Sequence, residues 1–204
     1  MVEAKLPIAE PGMRIGLFGG SFNPPHEGHK LVALECFKRL ALDKVWILVS
    51  PGNPLKDHSE LLPLDERLAQ TEALMNDPRL EVTGFEAAHG LDYTWETIAA
   101  LTQAYPRTRF VWIMGADSLQ TFDRWEHWDA IATMVPIAVY DRPGTGFIAT
   151  TSAAAIALKQ SRVPEAAAKT LADRTPPAWI YLHGVVSAQS STAIRNSRRV
   201  PSDT

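Results

Sequence analysis

The stretch Met13-Arg14-Ile15-Gly16-Leu17-Phe18-Gly19-Gly20-Ser21-Phe22-Asn23-Pro24-Pro25-His26-Glu27-Gly28-His29 decides how the chain is read. Its opening is an apolar run ended by two glycines, the pattern of a buried strand running into a tight turn. Pro24 and Pro25 fix the backbone and remove two donors, so this part is no helix interior. From Glu27 a helical period sets in, with Leu31, Leu34, Phe37 and Leu40 recurring on one face. A strand, a glycine turn and a helix in that order put the turn at the C-terminal edge of a sheet. Open α/β folds bind ligands there, and the first amides of a helix favour phosphate.

The same alternation continues in both directions. Val45 to Val49 reads as a second buried strand closed by Pro51-Gly52, and Leu64 to Met75 as the next helix. Leu80 to Phe85 is strand-like. Thr94 to Tyr105 is helical, with Thr94 expected as its N-cap and Thr97 in the place of a capping-box partner. Phe110 to Met114 is a buried strand ending at Gly115, Ile137 to Tyr140 another, and Trp179 to Leu182 the last. Short strands alternating with longer helices predict a Rossmann-like, doubly wound α/β fold, with a mainly parallel sheet and helices on both faces. A single domain over residues 1–204 is the simplest organisation, with 1–12 and 196–204 expected as flexible ends. The alanine-rich segment 150–174 is expected to form two short helices.

Composition bounds the function. Of 204 residues, 46% are hydrophobic and 21% charged, the balance of an ordinary globular domain. The single cysteine, Cys36, excludes an internal disulfide and a multi-cysteine metal site, and is expected as a small buried helix residue. A formal net charge of −3 speaks against sequence-independent nucleic-acid binding, which needs a basic face. There is no apolar signal region at the start and no apolar run of the ~20 residues a membrane span needs. A cytoplasmic monomer or small homo-oligomer, with no nucleic-acid or membrane partner, is the expectation.

His26 and His29 are three apart at a helix start, so both rings can face one spot. The pair could ligate a metal, but no third ligand is near in sequence. It could also cap a turn, or belong to a generic mononucleotide-binding turn. The segment matches neither G-x-G-x-x-G nor the P-loop. Taken whole, GGSFNPPHEGH resembles the signature of the nucleotidyltransferase superfamily with the His-x-Gly-His motif, here His26-Glu27-Gly28-His29. With Phe-Asn-Pro-Pro ahead of the first histidine, it is similar to the nicotinate mononucleotide adenylyltransferases in particular.

Three further segments extend the resemblance over Met13 to Arg195. Leu91-Asp92-Tyr93-Thr94-Trp95-Glu96-Thr97 resembles the family's Tyr-Thr-x-x-Thr turn, whose amides hold the pyridine carboxylate. Gly115-Ala116-Asp117-Ser118, followed by Trp125 and Trp128, resembles its adenosine-side turn and stacking tryptophan. Ser190-Ser191-Thr192-Ala193-Ile194-Arg195 resembles its Ser-Ser-Thr-x-Ile-Arg phosphate cradle. The resemblance implies transfer of the adenylyl group of ATP to nicotinate mononucleotide, giving nicotinate adenine dinucleotide and pyrophosphate, in NAD biosynthesis.

The roles that follow from the resemblance are these. His26, His29 and Arg195 are catalytic. Gly19, Gly20, Ser21, Phe22, Gly115, Asp117, Ser191 and Thr192 join them in binding ATP. Asn23, Lys56, Tyr93, Thr94, Trp125 and Arg142 bind the mononucleotide. Mg²⁺ is expected to ride on the ATP rather than on a protein metal site. Asp92 departs from the family pattern. A carboxylate facing the ring would repel nicotinate, so Asp92 is expected to point away. Another acceptor within the superfamily, such as phosphopantetheine, and a non-catalytic nucleotide-binding module are the competing readings.

Overall fold

The computed structural model describes residues 7–52, 60–141, 146–184, 191 and 194–195. Seven strands form one sheet, every neighbouring pair parallel: β1 (Arg14–Gly20), β2 (Lys44–Val49), β3 (Leu80–Thr83), β4 (Arg109–Gly115), β5 (Ile137–Tyr140), β6 (Arg162–Val163) and β7 (Trp179–Leu182). Their spatial order is β3-β2-β1-β4-β5-β7-β6. The chain winds outward one way from β1 through β2 to β3, then returns beside β1 with β4 and winds the other way. The C-terminal ends of β1 and β4 therefore flank the switch point at which doubly wound sheets leave a crevice.

Helices cover both faces, as a fully parallel sheet requires. On one side α1 (Glu27–Arg39) and α2 (Leu64–Leu74) pack Val32, Ala33, Cys36 and Leu68 on Val45, Ile47, Val111 and Ile113. On the other, α4 (Thr94–Ala104), α6 (Trp128–Met134) and α8 (Ala153–Ala157) pack Ile98, Leu101, Ile131 and Ala154 on Ile15, Leu17, Trp46, Trp112 and Val139. Three short helices complete the set: α3 (Phe85–His89), α5 (Ala116–Leu119) and α7 (Gly146–Thr150). Consecutive residues of each strand go to opposite layers, which is why the strands read as unbroken apolar runs. Each fully buried Ile or Leu contributes about 1.5–3 kcal/mol.

Four expectations are adjusted. Phe85 opens α3 instead of ending β3. The N-cap of α4 is Tyr93, not Thr94, and the N3 residue is Glu96, whose carboxylate accepts from the Asp92 and Tyr93 N–H groups. Segment 150–174 holds α8, two 3-10 turns (Lys159–Ser161 and Glu165–Asp173) and the edge strand β6 rather than two helices. Residues 7–12 lie against the fold: the Tyr105 hydroxyl donates to Pro7 O, and Gly12 N–H to Arg107 O. Cys36 is fully buried, and burial pushes its thiol up to about 12, as suits a packing residue. Among the described residues no helix is long and apolar enough to cross a membrane.

Gly19, at the end of β1, illustrates how packing at the sheet edge dictates sequence. A Cβ there would lie 2.6 Å from the Trp112 ring, which is itself buried with 2% exposure. The buried indole would have to shift to make room. Gly19→Ala is expected to destabilise the protein by about 1–3 kcal/mol through overpacking, seen as a Tm several degrees lower in thermal unfolding. An unchanged Tm would contradict this account of the strand end.

Candidate functional site

Beyond Gly20 the chain turns sharply. Phe22 adopts φ 44°, a left-handed conformation that is rare for a residue with a side chain. Its ring holds the turn in place: it is 2% exposed, edge-on to Phe18 at 5.8 Å and to His29 at 4.9 Å. The turn leaves Ser21 lining a cavity and directs Asn23 inward.

Helix α1 begins at the two histidines. His26 is the N-cap, in extended conformation, and its N–H donates to His29 Nδ1 at 3.2 Å. The two rings stack with centroids 3.7 Å apart. A backbone N–H can only donate, so His29 Nδ1 is the bare nitrogen and the ring proton sits on Nε2. His29 is thereby fixed as a neutral donor through Nε2. Glu27 in the first turn and Lys38 and Arg39 in the last complement the helix dipole.

The loop between Ser21 and α1 is braced from two sides. Asn23, 5% exposed, donates from its side chain to Glu60 O (2.8 Å) and accepts from Leu62 N–H (3.3 Å). Arg67 of α2, 1% exposed, donates to four carbonyl oxygens: Ser21 (2.8 Å), Ser50 (2.6 Å), Pro51 (2.9 Å) and Leu62 (2.9 Å). Ser191 and Arg195 bond to the same loop. Ser191 Oγ donates to Pro24 O at 2.9 Å, and Arg195 reaches Asn23 O and, at 3.3 Å, Glu60 Oε2. Residues far apart in sequence, such as His26 and Ser191, thus meet at one strand end.

A cavity of about 320 Å³ opens at the switch point. Gly19, Gly20 and Ser21 form its β1 side, Trp112 and Ser118 its β4 side, and Asp92, Tyr93 and Thr94 the start of α4. Trp125 closes it, half-buried and edge-on to Trp112 (6.4 Å) and Phe122 (5.4 Å). The intrahelical bonds of α4 begin with the Glu96 and Thr97 N–H groups donating to Tyr93 O, so the amides of Thr94 and Trp95 are first-turn amides with no acceptor within the helix. Glu86 of α3 also lines the cavity. It is 8% exposed, and burial, reinforced by the charge of Asp92, pushes its carboxyl up to about 7 against the opposing bond from Thr97.

The structure brings together Gly19, Gly20, Ser21, Tyr93, Thr94 and Trp125 around the cavity, with the His26–His29 pair, Ser191 and Arg195 on the adjoining loop. Several expectations change. Asn23, read as a mononucleotide contact, commits its side chain to the 60–62 backbone instead. Phe22 packs in the core, away from the cavity lining. Gly115 ends β4 as the N-cap of α5, and Asp117 is exposed in its first turn; the residue of that turn on the cavity wall is Ser118. Asp92 is exposed and lies among the residues lining the cavity, as does Arg124. Trp128 packs on Phe122 in the core. Lys56, Arg142 and Thr192 lie outside the described residues.

Sequence reasoning missed Arg67, Glu86, Arg124 and Glu126. Arg67 sits in a helix whose buried face was not assigned, and Glu86 in a segment that follows a strand. Nothing in the local pattern distinguishes either from a surface charge.

Comparison with known proteins agrees with this geometry. Residues 17–197 match the Cytidylyltransferase-like family. A probable nicotinate-nucleotide adenylyltransferase of Methylorubrum extorquens is 57% identical over 183 residues, 90% of this chain and 99% of that one. Another, from Rhizobium johnstonii, is 51% identical over 191 residues, 94% of this chain and 96% of the relative. The fold resembles that of Plasmodium falciparum nicotinic acid mononucleotide adenylyltransferase complexed with NaAD, with a TM-score of 0.69 at 15% identity, covering 90% of this chain and 83% of that one. The shared fold, the His-x-Gly-His helix start and relatives identical at more than half of the aligned positions show that the chain belongs to the nicotinate-nucleotide adenylyltransferase family.

Proposed function

We infer that the chain transfers the adenylyl group of ATP to nicotinate mononucleotide, forming nicotinate adenine dinucleotide and pyrophosphate for NAD synthesis. The observation that carries the reading is the coincidence of the stacked His26–His29 pair, of Ser191 and Arg195 bonded to the loop before it, and of a cavity lined by Trp125 at the same edge of the sheet.

The chemistry needs little more than positioning. A phosphate oxygen of the mononucleotide attacks the α-phosphorus of ATP in line; the P–O bond to the β-phosphate breaks and the electron pair leaves with pyrophosphate. The attacking phosphate is already anionic at neutral pH, so no strong general base is required. Charge builds on the oxygens around the α-phosphorus, and His29 Nε2–H is a donor oriented before substrate arrives. His26 supports that ring by stacking and by the bond from its own N–H. Gly19, Gly20 and Ser21 bring backbone close to the nucleotide, and Ser191 and Arg195, with Thr192, would hold the outer phosphates. To do so Arg195 exchanges Glu60 for phosphate oxygens, a stronger partner for a guanidinium.

The ring belongs in the cavity, stacked on Trp125 and capped by the Tyr93–Thr94 turn. Magnesium enters as part of the ATP substrate. Such an ion keeps several waters and takes few protein ligands, being held chiefly by the phosphates.

Pyrophosphate release with ATP and each candidate acceptor tests the reading. Turnover is expected with nicotinate mononucleotide and not with phosphopantetheine; the reverse preference would overturn it. His29→Ala is expected to lower kcat by at least ~10² with Tm little changed, because the lost donor acts on developing charge; near-normal kcat would remove His29 from the mechanism. Trp125→Ala is expected to raise KM for the mononucleotide by about 5- to 100-fold, from the loss of one ring-stacking contact, while KM for ATP stays within about twofold. Equal effects on both substrates would place the ring elsewhere.

A further inference from the structure

Glu86 sits where an acid-specific ring pocket should least tolerate a carboxylate. It lines the cavity beside Asp92, Tyr93 and Thr94, and is 8% exposed. An ionised Glu86 would lie close to the carboxylate of nicotinate in a poorly solvated space, where like charges repel strongly. Nicotinamide, which is neutral at the same ring position, would feel no such repulsion.

Burial and the surrounding charges, rather than its hydrogen bond, favour the neutral form of Glu86. Thr97 Oγ1, fully buried, lies 3.1 Å from Glu86 Oε1 and 3.3 Å from the carbonyl oxygen of Tyr93. The bond donated to Glu86 favours the carboxylate, so the neutral form depends on burial and on the charges facing the group. The charged neighbours are arranged in the same sense as burial. On α3 itself His89 is turned back onto Phe85, with Nδ1 2.8 Å from Phe85 O. From α4, Glu96 is occupied with the Asp92 and Tyr93 amides, and Asp92 adds negative charge to the cavity. On either side of Trp125, Arg124 and Glu126 line the cavity with opposite signs. Lys44, on the strand beneath, is paired with Glu81. No cation among the described residues is paired with the Glu86 carboxyl. Burial and the Asp92 charge accordingly push it up to about 7, into the range where solution pH decides its state.

We propose that Glu86 is a specificity-determining residue of the ring site, admitting nicotinate mononucleotide as the neutral acid and disfavouring it once ionised. The inference rests on the functional reading above and adds to it a proton-linked acceptor preference. With Glu86 neutral, the first-turn amides at the start of α4 set the pocket's preference and attract an anion. With Glu86 ionised, that attraction is opposed and the acid loses its advantage over the amide.

The test is the ratio of KM for nicotinate mononucleotide to KM for nicotinamide mononucleotide, measured by pyrophosphate release with the full chain from pH 6 to pH 8. Both acceptors carry the same phosphate, so its own titration cancels in the ratio. If only the neutral form accepts nicotinate, the ratio rises by about tenfold over that range. In Glu86→Gln, neutral at every pH, the ratio is expected to stay flat near the wild-type value at pH 6. A flat wild-type ratio overturns the proposal even if the variant does not fold, as does a variant that keeps the wild-type rise. Turnover of neither mononucleotide would instead overturn the functional reading, and the proposal with it.

Discussion

One buried guanidinium organises the functional edge of this molecule. Parallel strands that end together leave carbonyl oxygens without ladder partners, and the loops beyond β1 and β2 carry several. Arg67 reaches up from α2 and donates to four carbonyls in these loops and the segment before α2, those of Ser21, Ser50, Pro51 and Leu62, while almost wholly excluded from water. Burying a cation is costly unless its donors are used; here the planar fork of arginine, with five N–H groups in fixed directions, matches a ring of acceptors that lysine could not span. The loop that begins the nucleotide motif is thereby tied to the loop after β2 before any ligand arrives.

The rest of the site follows from that tie. With Ser21 held, Phe22 can occupy a left-handed turn under a buried ring, and Asn23 can brace the 60–62 backbone. The end of that brace is the start of α1, where His26 and His29 share one backbone-to-ring bond. That bond fixes which nitrogen of His29 carries the proton. Ser191 and Arg195 then bond Pro24 and Asn23, completing a site from residues far apart in the chain. Preorganised donors of this kind spend no free energy on reorientation when charge develops.

The strands were legible because a parallel sheet buried on both faces leaves long apolar runs, and β5 and β7 have the bounds read from sequence. The helix starting at Glu27 was equally clear from its period and the prolines before it. The edge strand β6, two residues long, has no pattern to detect. Within the site, residues acting through backbone geometry were visible as motifs: the glycines, the two histidines, the Ser-Ser-Thr-x-Ile-Arg run. Arg67 and Glu86 were not, because burial of a charged residue is a property of tertiary packing and leaves no mark on its neighbours in sequence. Nor did the sequence show that Glu96 caps the turn by accepting from the Asp92 and Tyr93 N–H groups.

If the Arg67 clamp is what builds the nucleotide site, weakening it without emptying its place must cost affinity for ATP more than it costs the fold. The direct measurement is the dissociation constant for ATP, by calorimetry, of Arg67→Lys against the wild type, with thermal unfolding of both. Lysine keeps the charge but not the fork, so at least one bond to the strand-end carbonyls is lost, each worth about 1.5–3 kcal/mol. The account predicts a folded protein that binds ATP at least ~10-fold more weakly. A folded Arg67→Lys protein with ATP affinity within about twofold of the wild type would contradict it.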